Sequence, residues 1–265
     1  MNPNLVLLFD LDDTILVEED SAMNALVAAA EHLSEYNIEP YQFACTVKEK
    51  AREIWYSLPT YKYCSEIGIS SWEGLWARFE GSHPEEKKLN ELRDSYQSNS
   101  WNNALKDYGI NDMSLALELS ELFNQERRIR HIHYPETIEV LNRLKSEYQM
   151  GLITNGLSDL QREKIRGGRL EQYFDLILIS GEVNCRKPDR QIFRKAFDYF
   201  NKPAEDFIMI GNSLKSDIGG AENAGIKSVW VNRMKEINSN GVKPDFEISN
   251  LLELLDILNS IEREC

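Results

Sequence analysis

Short runs of apolar residues occur once near the start of the chain and several times in its second half. The first run, at residues 5–9, has the length and composition of a strand that is buried on both faces of a parallel sheet. Similar runs lie at residues 150–154, 176–179, 207–210 and 228–231, and a shorter one lies at 246–248. Helix-like stretches separate these runs, and residues 251–261 form a last amphipathic pattern. The alternation predicts a doubly wound α/β fold whose parallel strands are joined by right-handed crossovers.

A different pattern fills the region between the first predicted strand and the others. Here apolar residues recur at three- and four-residue spacing, which is typical of amphipathic helices. The spacing predicts helices at residues 23–35, 40–57, 71–79, 84–107 and 114–130. We therefore predict two domains: a Rossmann-like core domain formed by residues 1–17 and 135–265, and an all-helical domain formed by residues 18–134.

Composition and charge narrow the range of partners. The chain has 265 residues, of which 42% are hydrophobic, and these values are typical of a globular protein with a sizeable core. Its formal net charge of −14 argues against a nucleic acid or an anionic membrane as a partner. An anionic small molecule would need a locally positive pocket. The sequence does not indicate an oligomeric state.

The lack of recognisable targeting signals and the spacing of the cysteines both favour a cytoplasmic protein. The sequence has no run of eighteen or more apolar residues, and residues 1–4 lack the basic segment of a signal peptide. Four scattered cysteines form no CxxC pair and have no histidine at zinc spacing; they are Cys45, Cys64, Cys185 and Cys265. We expect a cytoplasmic protein with reduced thiols.

The first predicted strand runs directly into three carboxylates, Asp10, Asp12 and Asp13. Alternate side chains of an extended segment share a face, so Asp10 and Asp12 would point the same way. At a separation of about 4–6 Å they would repel by roughly 3–4 kcal/mol at an effective dielectric constant of about 20, so a positive partner is needed. Carboxylate oxygens suit Mg²⁺. The alternative is that Asp12 or Asp13 caps a following helix.

Other predicted strands end in residues with matching chemistry. Thr154 and Asn155 could bind an anion such as phosphate, although the same residues are common in turns. Lys187 lies in a rigid Lys-Pro turn and could balance the negative charges, although most lysines are solvated. Asn212 and Asp217 follow the fourth strand, where Asp217 alone would more often cap a helix. Because ligands of open α/β sheets bind at the carboxyl ends of the strands, we expect these residues to meet there.

Four segments, in this order, resemble the motifs of the haloacid dehalogenase-like (HAD) superfamily. They are Phe-Asp-Leu-Asp-Asp-Thr at 9–14, Ile-Thr-Asn-Gly at 153–156, Arg-Lys-Pro at 186–188 and Gly-Asn-Ser-Leu-Lys-Ser-Asp at 211–217. The resemblance covers about residues 4–16 and 135–250. The stretch Gln-Arg-Glu-Lys-Ile at 161–165 and the run from Tyr173 to Phe193 resemble the branch that contains N-acylneuraminate 9-phosphatase and pyrimidine 5′-nucleotidases.

The resemblance implies a role for each matching residue. Asp10 would be the nucleophile that forms an aspartyl-phosphate, and Asp12 would be the general acid and base, with its backbone carbonyl on the metal. Thr154 and the backbone at Asn155 would hold phosphate oxygens. Lys187 would neutralise the nucleophile and the transferring group, while Mg²⁺ would bridge Asp10 and the phosphate.

This chain departs from the family pattern at one motif. The family usually has Gly-Asp where this chain has Gly211-Asn212. An amide oxygen can coordinate Mg²⁺ but brings no charge. We therefore expect Asp217 to supply the missing carboxylate, either directly or through a water molecule.

The predicted helical domain resembles the C1-type cap of the family, which closes over the site and selects the substrate. Its aromatic residues could line a substrate pocket, but such a stripe is more often the core of the domain itself. They are Trp55, Tyr56, Tyr61, Tyr63, Trp72 and Trp76. The cap loops that select the substrate cannot be identified by matching the family's motifs, so we assign no residue of the predicted cap to the site.

Several functions compete. The preferred one is a Mg²⁺-dependent phosphomonoesterase that acts on a small phosphorylated metabolite. A 2-haloacid dehalogenase would share the nucleophile but needs neither a metal nor Asp12, and Asn212 is a point in its favour. A receiver-type signalling domain gathers similar residues but is about half this length and lacks the helical insertion. A non-enzymatic binding protein with the same fold is opposed by the presence of Asp10, Asp12 and Lys187.

Overall fold

The computed structural model describes residues 5–238 and 241–264. The chain divides into two compact units. The sheet unit contains the described residues of Met1–Val17, His133–Asn155 and Gly168–Cys265. The helical unit contains Glu18–Ile132 and Gly156–Gly167. Residues 156–167, which the sequence assigned to the core domain, therefore group with the helical unit; the domain boundaries stay a prediction.

Among the described residues, a parallel sheet of six strands forms the centre of the sheet unit. The strands are β1 (Val6–Phe9), β2 (Gln149–Thr154), β3 (Leu176–Ile179), β4 (Phe207–Gly211), β5 (Lys227–Val231) and β6 (Phe246–Ile248). Their order is β3-β2-β1-β4-β5-β6, so the predicted α/β fold is confirmed. The order reverses between β1 and β4, which makes the carboxyl end of β1 the expected ligand site.

The first strand is apolar because it is buried on both faces. All four of its residues are fully buried. Val6 and Leu8 pack in one cluster with Ile192, Phe193 and Ala196 of a neighbouring helix. Phe9 lies opposite Leu152 of β2 and Ile210 of β4. The residue that follows β1 is therefore attached to a fully buried strand that is paired on both sides.

Twelve α-helices occur in the described residues. They are α1 (Glu18–Ala30), α2 (Pro40–Ser57), α3 (Tyr61–Ile67), α4 (Ser71–Gly74), α5 (Pro84–Asp107), α6 (Met113–Ile129), α7 (Thr137–Lys145), α8 (Ser158–Gly167), α9 (Ser180–Val183), α10 (Arg190–Phe200), α11 (Gly219–Ala224) and α12 (Leu252–Glu264). The bounds predicted for α2 and α5 are confirmed, and both helices begin with a proline at the first position. α1 begins five residues earlier than predicted and ends in a 3₁₀ turn at Glu31–Tyr36.

The helix predicted at residues 71–79 was wrong in length. Ser70 and Glu73 form a capping box that starts α4, but the helix ends at Gly74. The backbone continues as an irregular segment, and Asp159 accepts hydrogen bonds from the backbone amides of Arg78 and Phe79 at 2.7 and 3.0 Å. An acceptor distant in sequence thus satisfies donors that would otherwise bond within a helix.

The aromatic residues of the helical unit mostly form its own core. Trp55 and Trp76 are fully buried there, and Tyr61 and Tyr63 pack against the same cluster. Tyr56, by contrast, is 59% exposed.

Helix α8 is tied into the helical unit by buried ion pairs. Lys164 is fully buried and lies 2.6 Å from a Glu73 oxygen and 3.3 Å from a Glu18 oxygen. Glu18 also pairs with the buried Arg127 at 2.6 Å. Such groups are retained only when each charge has a partner. The family-like stretch at 161–165 therefore contributes to the packing of this unit.

Among the described residues, Cys45, Cys64 and Cys185 are free cysteines, and Cys265 lies outside the described residues. No helix in the described part of the chain is long and apolar enough to span a membrane.

Candidate active site

Asp10 follows β1 directly and is nearly buried, with 8% of its surface exposed. Its backbone amide donates to the carbonyl of Ile210 at 2.9 Å, which extends the pairing with β4 by one residue. One carboxylate oxygen, Oδ1, accepts from Lys187 Nζ at 2.5 Å. The other, Oδ2, accepts from Thr14 Oγ1 at 3.2 Å. Both oxygens are thus held in place at the carboxyl edge of the sheet.

A tight turn after Asp10 brings Thr14 back to this carboxylate. The amides of Ile15 and Leu16 both donate to the carbonyl of Leu11, and Asp13 adopts a left-handed conformation with φ of 58°. Asp13 is exposed. Because α1 begins only at Glu18, the alternative in which Asp12 or Asp13 caps a following helix is wrong.

The hydroxyl of Thr14 joins two strand ends. It accepts from the backbone amide of Asn212 at 3.0 Å, and it lies 3.4 Å from Asn212 Oδ1 as well as 3.2 Å from Asp10 Oδ2. Two oxygens from β1 and β4 therefore converge on one hydroxyl. The sequence motif contains Thr14, but sequence reasoning assigned it no role in the site.

Lys187 is the positive centre of the site. It is 2% exposed, and its Nζ lies 2.5 Å from Asp10 Oδ1, 2.7 Å from Asp217 Oδ1 and 2.6 Å from the carbonyl oxygen of Ile153. The side chain of Asn155 fixes its backbone, because Oδ1 accepts from the Lys187 amide and Nδ2 donates to the Lys187 carbonyl, both at 2.9 Å. The side chain of Asn155 therefore positions Lys187. The expected phosphate contact of its backbone stays a prediction.

Thr154 is the last residue of β2 and is fully buried beside β3, where it lies opposite Ile179. Its hydroxyl is 3.4 Å from the carbonyl oxygen of Asn155. It thus ends its strand at the same edge of the sheet as Asp10.

Asp217 lies in a π-helical turn, Leu214–Ile218, and is 1% exposed. While Oδ1 faces Lys187, Oδ2 accepts from the backbone amide of Ser213 at 2.9 Å. Such turns are frequent at functional sites. Gly211, at the end of β4, leaves the space that this carboxylate needs.

Replacing Gly211 with Ala is expected to displace Asp217. A Cβ atom at this position would lie 2.3 Å from Asp217 Oδ2 and 2.6 Å from Asp217 Cβ, so a short buried side chain would have to move. We expect a loss of about 1–3 kcal/mol of unfolding free energy together with reduced turnover, measured by chemical denaturation and by steady-state kinetics. Gly219→Ala is the matched control, because its nearest neighbour is 3.4 Å away. Equal effects of the two changes would contradict this account.

Burial and neighbouring charges shift the pKa values of Asp10 and Lys187. Burial raises the pKa of Asp10 to about 7; the Lys187 ammonium opposes this rise, whereas Asp217 and Asp12 add to it. Burial lowers the pKa of Lys187, but Asp10 and Asp217 more than offset that effect and leave it above its ordinary value. Lys187 is therefore charged at neutral pH, where its ammonium pairs with Asp217 and favours the ionised form of Asp10.

The donors near Thr14 fit a hard cation. Asp10 Oδ2 and Asn212 Oδ1 are oxygen donors held within 3.4 Å of the same hydroxyl. In the described residues no three His, Cys, Asp or Glu side chains converge on a metal position. The two oxygens of Asp10 and Asn212 match Mg²⁺, which takes one or two carboxylates from the protein and keeps several waters.

A family model described as haloacid dehalogenase-like hydrolase matches residues 7–231. The chain belongs to the haloacid dehalogenase-like hydrolases. This HAD hydrolase is therefore an enzyme, and the family predicted from its four motifs is confirmed.

Relatives and solved structures agree with this assignment. The phosphoserine phosphatase of Thermus thermophilus is 36% identical over 251 residues, which are 94% of this chain and 97% of that protein. The N-acylneuraminate-9-phosphatase of Rattus norvegicus is 32% identical over 185 residues, 68% of this chain and 73% of that protein. The crystal structure of the Bacillus subtilis HAD-hydrolase YfnB, bound to magnesium, is similar with a TM-score of 0.61 and 26% identity, and the match covers 97% of this chain and 100% of that one.

The HAD hydrolase brings most of the predicted site residues together. Asp10, Lys187 and Asp217 form one connected group, and Thr14 adds Asn212 to it. Asp12 is only partly buried, but its charge contributes to the raised pKa of Asp10.

Proposed function

We propose that this HAD hydrolase is a Mg²⁺-dependent phosphomonoesterase that acts through an aspartyl-phosphate on Asp10. The observation that carries the proposal is the placement of the Asp10 carboxylate, which is buried at the end of β1 between Lys187 and Thr14. A carboxylate with both oxygens fixed is ready to attack a phosphorus atom without reorganising. The phosphatase relatives support the same chemistry.

In the proposed reaction, Asp10 attacks phosphorus and the bond to the leaving alcohol breaks. Asp12 donates a proton to the leaving oxygen and then removes a proton from the water that hydrolyses the aspartyl-phosphate. The partial exposure of Asp12 suits a group that must exchange protons. Lys187 balances the negative charge of Asp10 and of the transferring group, since phosphoryl transfer depends mainly on positioning and charge stabilisation.

The phosphate oxygens would be held by Thr154 and by the backbone at Asn155. Both residues lie at the end of β2, next to β1 in the sheet. Because the Asn155 side chain also fixes the backbone of Lys187, phosphate binding and the positive charge would be aligned by one residue.

Asp10, the backbone carbonyl of Asp12 and Asn212 would hold Mg²⁺, with Asp217 supplying charge directly or through a water molecule. When bound, Mg²⁺ neutralises charge on the transferring phosphoryl group. Asp217 already contacts Lys187 and the Ser213 amide, so its carboxylate is fixed within the same charged group.

Replacing Asp217 with Asn is expected to weaken the binding of Mg²⁺. The change removes one of two carboxylates that face Lys187 and leaves a neutral amide in its place. We expect the half-saturating Mg²⁺ concentration to rise by about 10–100-fold, measured by titrating hydrolysis with Mg²⁺. Asp198→Asn, at an exposed position of α10, is the control. Unchanged Mg²⁺ dependence in Asp217→Asn would show that Asp217 has no part in metal binding.

The proposed substrate is a small phosphorylated metabolite. A suitable panel contains O-phosphoserine, N-acylneuraminate 9-phosphate and pyrimidine 5′-nucleotides, each measured with and without Mg²⁺. We expect phosphate release from at least one ester, and only with the metal. If no phosphoester is hydrolysed faster with Mg²⁺ than without it, the proposal is wrong.

The cytoplasmic location stays a prediction.

A 2-haloacid dehalogenase is the second candidate, because Asn212 stands where the family usually has an acidic residue. The same protein preparation is therefore tested with 2-haloacids in the presence of a chelator. Metal-free release of halide, without hydrolysis of any phosphoester, would favour this alternative.

A further inference from the structure

Arg233 follows the last strand residues of β5 and makes three contacts at the carboxyl edge of the sheet. Its Nη1 donates to Glu136 Oε1 at 2.7 Å, and its Nη2 donates to the backbone carbonyl of Thr14 at 3.1 Å. Its guanidinium carbon also lies 3.5 Å from the centre of the Tyr134 ring. Only 13% of the Arg233 side chain and 11% of the Glu136 side chain are exposed. The guanidinium is therefore held on two edges and one face.

Glu136 is itself fixed in place. Its Oε1 also accepts from the backbone amide of Leu251 at 3.1 Å. Although burial alone would raise the pKa of Glu136, its backbone amide, Arg233 and Leu251 hold that pKa below the ordinary value. The carboxylate therefore stays charged and anchors Arg233 at neutral pH.

Residues 134–137, the segment that contains Glu136, also bind the carbonyl of Ile15, which is the next one in the turn after Asp10. The amide of Tyr134 and the hydroxyl of Thr137 both donate to the carbonyl of Ile15, at 3.3 and 3.2 Å. Two successive carbonyls, those of Thr14 and Ile15, are thus bound by Arg233 and by residues 134–137. The backbone of Thr14 has little freedom to shift.

A fixed Thr14 backbone matters because its hydroxyl joins Asp10 to Asn212. A shift of this backbone would move the hydroxyl away from the Asp10 carboxylate and from the Asn212 amide group together. A lysine could replace Arg233 only in part, since one ammonium lacks the planar fork that reaches two acceptors and stacks on a ring.

We propose that Arg233 is a positioning residue of the active site, which acts by holding the Thr14 carbonyl and so aligning the hydroxyl that connects Asp10 with Asn212. The inference rests on the proposed function of Asp10. Neither Arg233 nor Glu136 belongs to the four sequence motifs, and neither touches the Asp10 carboxylate in the contacts described above. A purely structural role would stabilise the fold without changing turnover or metal affinity.

The experiment compares the parent with Arg233→Met and Arg233→Lys. We expect Arg233→Met to lower kcat by about 10–100-fold with little change in KM, and to weaken Mg²⁺ binding similarly. The binding is measured by calorimetry without substrate. For Arg233→Lys we expect a kcat and a Mg²⁺ affinity between those of Arg233→Met and the parent. If Arg233→Met does not fold, as judged by circular dichroism, Arg233→Lys alone decides: parental kcat and parental Mg²⁺ affinity would overturn the proposal.

Two further variants separate positioning from stability. Ser228→Ala is the control, because Ser228 is buried in β5 and bonds to Asp245 but lies three residues before the strand's end. We expect it to lower the melting temperature and leave kcat unchanged. In a Thr14→Val background, Arg233→Met should lower kcat little further, since the hydroxyl that Arg233 positions is already absent. An undiminished additional loss would overturn the proposal.

The proposed function and the proposed role of Arg233 would be contradicted by different results. If the parent shows no Mg²⁺-dependent hydrolysis, the proposed function is wrong. If the parent is active and the Arg233 variants lose only thermal stability, the proposed function stands and the role of Arg233 is overturned.

Discussion

Asp10→Asn is expected to reduce Mg²⁺-dependent phosphoester hydrolysis by at least about a thousandfold, because removing a covalent nucleophile abolishes the first chemical step. The variant should still fold. An amide has nearly the same shape as the carboxylate: its one oxygen can accept from Lys187, and its NH2 group can donate to the hydroxyl of Thr14, the two groups that surround Asp10 in the parent. Since burial raises the pKa of Asp10 to about 7, replacing its charge with a neutral group also relieves a desolvation cost. The measurement is steady-state hydrolysis together with thermal denaturation.

Asp13→Asn is the matched control for this prediction. Asp13 lies in the same cluster of carboxylates but is exposed, and its left-handed backbone suits asparagine. We expect parental kcat and KM. If Asp13→Asn and Asp10→Asn lost activity equally, the general negative charge of this turn, and not the buried carboxylate, would be the functional feature.

Lys187→Met is expected to damage both activity and stability. The change removes the ammonium that lies within 2.7 Å of Asp10 and Asp217 and leaves two buried carboxylates facing each other. Breaking a buried ion pair by removing one partner typically costs about 3–5 kcal/mol of unfolding free energy. The loss of charge stabilisation should lower kcat by roughly 100–1,000-fold. Denaturant unfolding and steady-state kinetics measure the two effects.

The control is Lys195→Met, at an exposed position of α10. It removes the same charge from the same unit without touching the site, so both quantities should stay near the parental values. A fully active Lys187→Met variant would contradict the role given to the ammonium.

Much of the sheet could be predicted from the sequence because burial on both faces requires apolar runs. β1 and β4 occupy nearly the predicted residues for this reason. Helix ends were less predictable where they depend on distant groups. α4 stops at Gly74, and Asp159, far along the chain, binds the amides that follow.

The rule that ligands of open α/β sheets bind at the carboxyl ends of the strands was sufficient to locate the residues at this edge. Asp10, Lys187 and Asp217 meet there because parallel strands end at the same edge of a sheet. The rule could not assign roles to Thr14 or Arg233. The role of Thr14 depends on a turn that folds back on Asp10, and that of Arg233 depends on the packing of a segment 97 positions away in sequence.

In the proposed mechanism, Asp10 becomes phosphorylated during turnover. This step is tested by rapid acid quenching of the enzyme with Mg²⁺ and a phosphoester from the panel that it hydrolyses, followed by peptide mass spectrometry. We predict one phosphoryl group on the peptide that contains Asp10, forming before the steady state and absent from Asp10→Asn. Phosphorylation of a different residue, or parental hydrolysis by Asp10→Asn with no phosphoryl-enzyme, would contradict the account.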